Sequence, residues 1–279
     1  MTTLDNLKTH YAAPNLISRI EAGLAQLGKH PNALGPDDLS PVDEFHVRGP
    51  AATAELITLL APTAEMHVLD VGAGLGGPAR RLARATGCRV TGVDLSESYC
   101  TVGTILNEWT NLSQQVKLTP GDATNLAQFQ NAIFDAAWTI HVGMNLADKA
   151  ACYREVFRVL KPGAAFVIYD VLTIGDQAIH FPVPWAQTAA TSFLATRAEL
   201  KTILAQVGFT VTAVEEHTTK ALIALARAAT QQDQQTTPPP LGLHLVLGPI
   251  VRTMVQSLRR NFAEQRVELV AVRCQKPHA

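Results

Sequence analysis

The 279 residues contain no run of about 18 uninterrupted apolar residues, which leaves no candidate for a membrane-spanning helix. The opening Met-Thr-Thr-Leu-Asp-Asn-Leu-Lys lacks the charged lead and apolar stretch of a secretion signal. Cysteine is scarce. Its four positions, Cys88, Cys100, Cys152 and Cys274, show no Cys-x-x-Cys spacing and no paired histidines nearby, so they read as buried thiols and no metal site is expected. Charge is scarce too. Asp, Glu, Lys and Arg make up 17% of the chain, the net charge is −1, and the basic residues form no cluster suited to a phosphate backbone. No internal repeat is present. These absences predict a soluble, cytoplasmic protein acting on a small molecule, with neither nucleic acid nor membrane as partner and with a homodimer left open.

What the chain does have is a concentration of glycine after one short apolar run. Val68, Leu69 and Val71 have the composition of a strand buried on both faces of a parallel sheet. Gly72, Gly74 and Gly76 or Gly77 then allow a tight turn and remove the Cβ atoms that would hold a ligand away from the backbone. Pro78 suits the first turn of a following helix, and Gly87 its end. The spacing satisfies both G-x-G-x-x-G, which feeds a pyrophosphate onto a helix, and D-x-G-x-G-x-G. Asp70 separates the two. A carboxylate there repels a pyrophosphate but can hold a cationic amino-acid group, so the expected ligand has an adenosine end and an ammonium end.

At this point the segment Asp-Val-Gly-Ala-Gly-Leu-Gly-Gly (70–77) resembles the first cofactor motif of the class I S-adenosylmethionine-dependent methyltransferases. Val-Thr-Gly-Val-Asp-Leu-Ser (90–96) resembles their second strand, Gly-Asp-Ala (121–123) the turn after the third, Phe-Asp-Ala-Ala-Trp (134–138) the fourth, and residues 159–170 the lead-in to the fifth. The resemblance implies S-adenosylmethionine as cofactor, with Asp70, Gly72, Gly74 and Gly76 around its amino-acid end. It further implies that Asp94 and Leu95 meet the ribose, that Asp122 and Ala123 meet the adenine, and that His141 stands beside the sulfonium.

Alternation of strand and helix patterns predicts an α/β fold with a doubly wound, seven-stranded, mostly parallel sheet. Strands are expected at 67–71, 89–94, 115–119, 133–139, 164–170, 209–215 and 266–273. Residues 1–50 read as an N-terminal helical cap and 51–279 as the core. In the cap, Asn15 is placed to begin a helix carrying Leu16, Ile20, Leu24 and Leu27, and 31–41 reads as loop. Ser96 can cap the helix after the second strand, and Thr196 with Glu199 forms a capping box for a later one ended by Gly208. Two insertions, 171–195 and 216–265, leave the carboxyl ends of strands and are expected to form lids over the ligand. Within the second, 231–240 is low-complexity and reads as a linker, while Ile250, Met254, Leu258 and Phe262 fit a core-facing helix, a dimer contact or a lid.

Candidate catalytic residues are His141, Glu44 and His46, groups that can take a proton if the methyl acceptor arrives as an ammonium or hydroxyl. Tyr11, Asn145, His180 and Trp185 are candidates for the acceptor side. In the small-molecule branch that methylates sarcosine, dimethylglycine or phosphoethanolamine, a histidine stands where this chain has Asn145. The resemblance favours N- or O-methylation, with C-methylation of an apolar or prenyl-type molecule as the alternative, since Trp185 can stabilise either an amine cation or a carbocation. A nicotinamide-dependent oxidoreductase and a non-catalytic cofactor-binding partner are the remote alternatives.

Overall fold

The computed structural model describes residues 15–233 and 237–278. Seven strands form one sheet: β1 (His67–Val71), β2 (Arg89–Asp94), β3 (Val116–Pro120), β4 (Phe134–Ile140), β5 (Leu160–Thr173), β6 (Thr210–Glu216) and β7 (Val267–Gln275). Their order is β3-β2-β1-β4-β5-β7-β6, parallel except for β7, which runs antiparallel to both neighbours. All seven expected strands are present within a few residues. The largest difference is β5, whose pairing with β7 continues to Thr173 and whose Leu160 pairs with Phe134. Val68, Leu69 and Val71 have no exposed surface, as a strand covered on both faces requires.

Helices cover both faces: α1 (Leu16–Gln26), α2 (Pro36–Asp43), α3 (Pro50–Leu60), α4 (Gly77–Thr86), α5 (Glu97–Trp109), α6 (Lys149–Val159), α7 (Arg197–Val207), α8 (Thr218–Asp233), the short α9 (His244–Leu247) and α10 (Val251–Ala263). Several punctuation residues act as their chemistry dictates. Ser96 accepts from the Tyr99 amide, Thr196 and Glu199 form the reciprocal box, and Gly87 and Gly208 end their helices at positive φ.

Three expectations fail here for identifiable reasons. Asn15 sits at φ 54° and its side chain makes no cap bond, so the left-handed backbone alone starts α1. The expected loop at 31–41 contains most of α2, because Pro36 presets the first turn, Asp37 and Asp38 favour its positive end, and Asp38 accepts from the Gly35 amide at 2.7 Å. Pro41 is tolerated inside because the Asp37 carbonyl that it cannot serve accepts from Ser40 Oγ at 3.0 Å. The second insertion is not a lid among the described residues. Its α10 turns Met254, Leu258 and Phe262 inward, while Leu241, Leu245 and Met254 share a core with Leu16, Ile20 and Leu24 of α1. Of the stretch 231–240, positions 234–236 lie outside the described residues, and 231–233 close α8.

Candidate active site

The carboxyl ends of β1, β2 and β3 bring three acidic residues to one side of a cavity of about 320 Å³. Asp70 lies in β1 between Gly92 of β2 and Trp138 of β4, 2% exposed, and its Oδ2 has no partner among the described residues. Burial pushes its carboxyl up to about 7, against the pull of the Trp138 indole. The turn that follows is locked by its own backbone: the amides of Gly72 and Ala73 both donate to the Val93 carbonyl, at 2.8 and 3.0 Å. Gly72 sits at φ 75°, and a Cβ there would stand 2.2 Å from Val142 Cγ2. Asp94 closes the turn by accepting from the Gly74 amide at 2.8 Å and from Ser96 at 2.9 Å. Asp122 Oδ1 accepts from the Thr124 amide and hydroxyl, at 2.8 and 2.7 Å.

The other side of the cavity is built from segments far apart in sequence. Phe45 and His46 come from the turn between α2 and α3, residues 140–148 from the end of β4, and Pro184 with Trp185 from the first insertion. His141 adopts φ 56°, donates its amide to the Tyr169 carbonyl at 2.8 Å, and places its ring 6.1 Å from that of His46, centroid to centroid. Burial drives the His46 ring down to about 4, and burial with His46 beside it holds His141 well below the usual imidazole range. Both rings are therefore neutral at pH 7. No lysine or arginine lines the cavity among the described residues.

Asn145 knits this side together. Its amide donates to the carbonyls of Trp185 at 2.8 Å and Thr191 at 3.0 Å, and Lys149 Nζ donates to those of Leu146, at 2.9 Å, and Phe193. Behind them the buried Asp170 of β5 lies against Gly143, where a Cβ would stand 2.1 Å from Asp170 Oδ2. The 140–148 turn thus rests on a buried carboxylate that burial pushes up to about 7.

A family profile described as "Methyltransferase domain" matches residues 69–168, the span from β1 into β5. The chain is 40% identical over 103 residues to sterol 24-C-methyltransferase of Eremothecium gossypii, and 37% identical over 105 residues to cycloartenol-C-24-methyltransferase 1 of Oryza sativa. Those alignments take in 37% and 38% of this chain and 27% and 30% of the relatives, so the chain matches under a third of their length. Residues 69–168 are thus similar to a methyltransferase domain. The whole fold agrees. The geranyl diphosphate C-methyltransferase of Streptomyces coelicolor, solved with Mg2+, geranyl diphosphate and S-adenosylhomocysteine, superposes with a TM-score of 0.69 at 16% identity over 99% of both chains. The phosphoethanolamine N-methyltransferase 2 of Haemonchus contortus, solved with S-adenosylmethionine, gives 0.73 at 20% identity over 100% of this chain and 60% of that one.

The residues present fit that cofactor. The unpartnered Asp70 oxygen and the glycine turn whose Cβ positions are already filled form a cradle for a cationic group and a ribose, and no cluster among the described residues is built to hold a metal ion. No helix among them is long and apolar enough to cross a membrane.

Of the residues expected at the site, Asp70, Gly72, Gly74, Asp94, Leu95, Asp122, Ala123, His141, His46, Asn145 and Trp185 all line the cavity of the methyltransferase domain and its flanking segments. Three do not. Gly76, at φ 79°, serves the start of α4, where a Cβ would press on Leu118 at 2.9 Å. Glu44 is 4% exposed and spends its carboxylate on Arg81 and Thr53. His180 is drawn to α10, where its Nε2 meets Glu264 at 2.8 Å and its backbone pairs both ways with Asn261. Tyr11 lies outside the described residues. Sequence reasoning missed Tyr99 and Thr124 in the lining and Asp170 behind it. Glycine at 143 was the available signal for Asp170, but only the fold shows which carboxylate fills the space.

Proposed function

We propose that the protein transfers the methyl group of S-adenosylmethionine to a carbon atom of an uncharged, mainly apolar small molecule carrying a double bond. One observation carries this reading: the acceptor side of the cavity is lined by Phe45, Ile140, Met144 and Trp185 beside His46, whose ring burial keeps neutral and weakly basic. A hydroxyl or ammonium acceptor calls for a base matched to a proton held near or above neutrality. A carbocation formed by methylating an alkene is a very strong acid, and a weak, neutral imidazole suffices to take its proton. This reverses the preference for N- or O-methylation drawn from the sequence. The lining supports it further, since no lysine or arginine among the described lining residues is present to meet an acceptor phosphate.

When bound, S-adenosylmethionine supplies an electrophilic methyl group and leaves as the neutral thioether. Asp70 would face its ammonium, Asp94 with Leu95 its ribose, and Asp122 with Ala123 its adenine. Trp185, whose Nε1 is tied to Ser192 Oγ at 2.9 Å, and Phe45 offer aromatic surface to the cation left on the acceptor after its π electrons have formed the new C–C bond. His46 then removes the adjacent proton, and the C–H electron pair closes a new double bond. Holding the partners together and excluding water supply the remainder of the rate.

The direct test is incubation with S-adenosylmethionine bearing a trideuterated methyl group and a panel of olefinic isoprenoids and sterols, phenols and amines. We expect the label on carbon of an olefinic acceptor. Label entering only phenols or amines overturns the reading.

A further inference from the structure

Glu44 does not line the cavity, yet its bonds lead to a residue that does. Its Oε1 accepts from Arg81 Nε at 2.7 Å and its Oε2 from Thr53 Oγ1 at 2.5 Å. Thr53, fully buried in the first turns of α3, stands in turn 3.1 Å from His46 Nε2, which also lies 3.0 Å from the Gly49 carbonyl. A carbonyl only accepts, so Gly49 favours the hydrogen on Nε2. Thr53 imposes the same choice independently. Its single hydrogen goes to the carboxylate rather than to Gly49 O, which is 3.5 Å away, and leaves only lone pairs facing the ring. A neutral imidazole has one N–H, and no described residue bonds His46 Nδ1. His141 differs: its Nε2 is buried without a partner, and no bond selects its tautomer.

We infer that Glu44 and Thr53 are positioning residues that hold His46 in the tautomer with Nε2 protonated and so make Nδ1 the proton acceptor of the cavity. The identity of the proton taken rests on the carbon-methylation reading; the tautomer does not. The chain of bonds has a direction, from Nε2–H to hydroxyl to carboxylate, and an isosteric change can reverse it. In Glu44→Gln the amide oxygen stays with Arg81 and its NH2 donates to Thr53, which turns the hydroxyl hydrogen towards His46 Nε2 and favours a proton on Nδ1. Thr53→Val removes that hydroxyl, leaving Gly49 to restore the first tautomer.

The experiment is long-range 1H–15N correlation on the 15N-labelled full chain at pH 7 with S-adenosylhomocysteine, His46 being assigned with His46→Gln. We expect the Nε2–H form in the wild type, an Nδ1–H population in Glu44→Gln, and its disappearance in Glu44→Gln/Thr53→Val. With a methyl acceptor in hand, Glu44→Gln should lower kcat about tenfold, a part of what a general base contributes, with S-adenosylhomocysteine affinity within about twofold, and the double variant should recover. A wild-type His46 protonated on Nδ1 or on both nitrogens overturns the inference, and this needs no variant to fold. So does an unchanged tautomer in folded Glu44→Gln. Failure of every alkene to accept a methyl group refutes the proposed reaction instead and leaves the tautomer of His46, read from its 15N shifts, unaffected.

Discussion

The two sides of the cavity are built by different means. On the cofactor side, Asp70, Gly72, Asp94 and Asp122 sit at the ends of adjacent parallel strands, and their bonds run between neighbours, such as Gly74 to Asp94 and Gly121 to the Asp94 carbonyl at 2.9 Å. On the acceptor side the bonds join segments tens of residues apart, from Asn145 to Trp185 and Thr191, and from Lys149 to Phe193. The first arrangement follows from strand order in any sheet of this kind, where ligands meet the carboxyl ends of the strands. The second depends on how distant segments of this chain pack, and it is the side that would choose the acceptor. A shared cofactor site and an individual acceptor site can thus differ in how locally they are encoded.

If the cofactor side acts as proposed, its variants change cofactor binding far more than acceptor variants do. The largest effect is expected for Asp94→Asn, which removes the charged acceptor of the Gly74 amide and of the ribose. Calorimetry should show S-adenosylhomocysteine affinity falling by about ten- to a hundredfold, the equivalent of about 1.5–3 kcal/mol for hydrogen bonds to a charged group. An unchanged affinity would break the comparison at its strongest point.

A smaller effect comes from proton linkage at Asp70. Its carboxyl is raised to about 7, so below that pH the free protein holds a proton there that an ammonium ligand must displace. Affinity for S-adenosylhomocysteine should therefore rise with pH by up to about tenfold per unit towards pH 7 and level off above it. Asp70→Asn should abolish that slope. A slope surviving in the variant would assign it elsewhere, Asp170 being the other carboxylate raised to about 7.

The smallest effect on the cofactor belongs to Asn145→Ala. It leaves the Trp185 and Thr191 carbonyls without their donor, at a cost of about 1–3 kcal/mol, which for a chain of this size lowers Tm by several degrees. S-adenosylhomocysteine affinity should stay within about twofold while kcat/KM for the acceptor falls. Equal losses on both sides would show that the two halves act as one unit.

The sequence alone determined where the glycines and acidic residues on one side of the cavity stand. Short apolar runs, glycines and acidic residues at strand ends are local signals, and a parallel sheet converts them into one converging site. It also located His46, His141 and Trp185 without saying what they touch. The helix at Pro36–Asp43 was hidden by its prolines, whose cost is offset by the Ser40 bond. Only the tertiary structure decided that the second insertion packs on α1 rather than over the cavity, that Asn145 crosslinks the first insertion, and that Glu44 accepts from Thr53. Each depends on which distant segment lies within hydrogen-bond reach, about 3 Å, and that distance is set by the packing of the whole chain rather than by spacing along it.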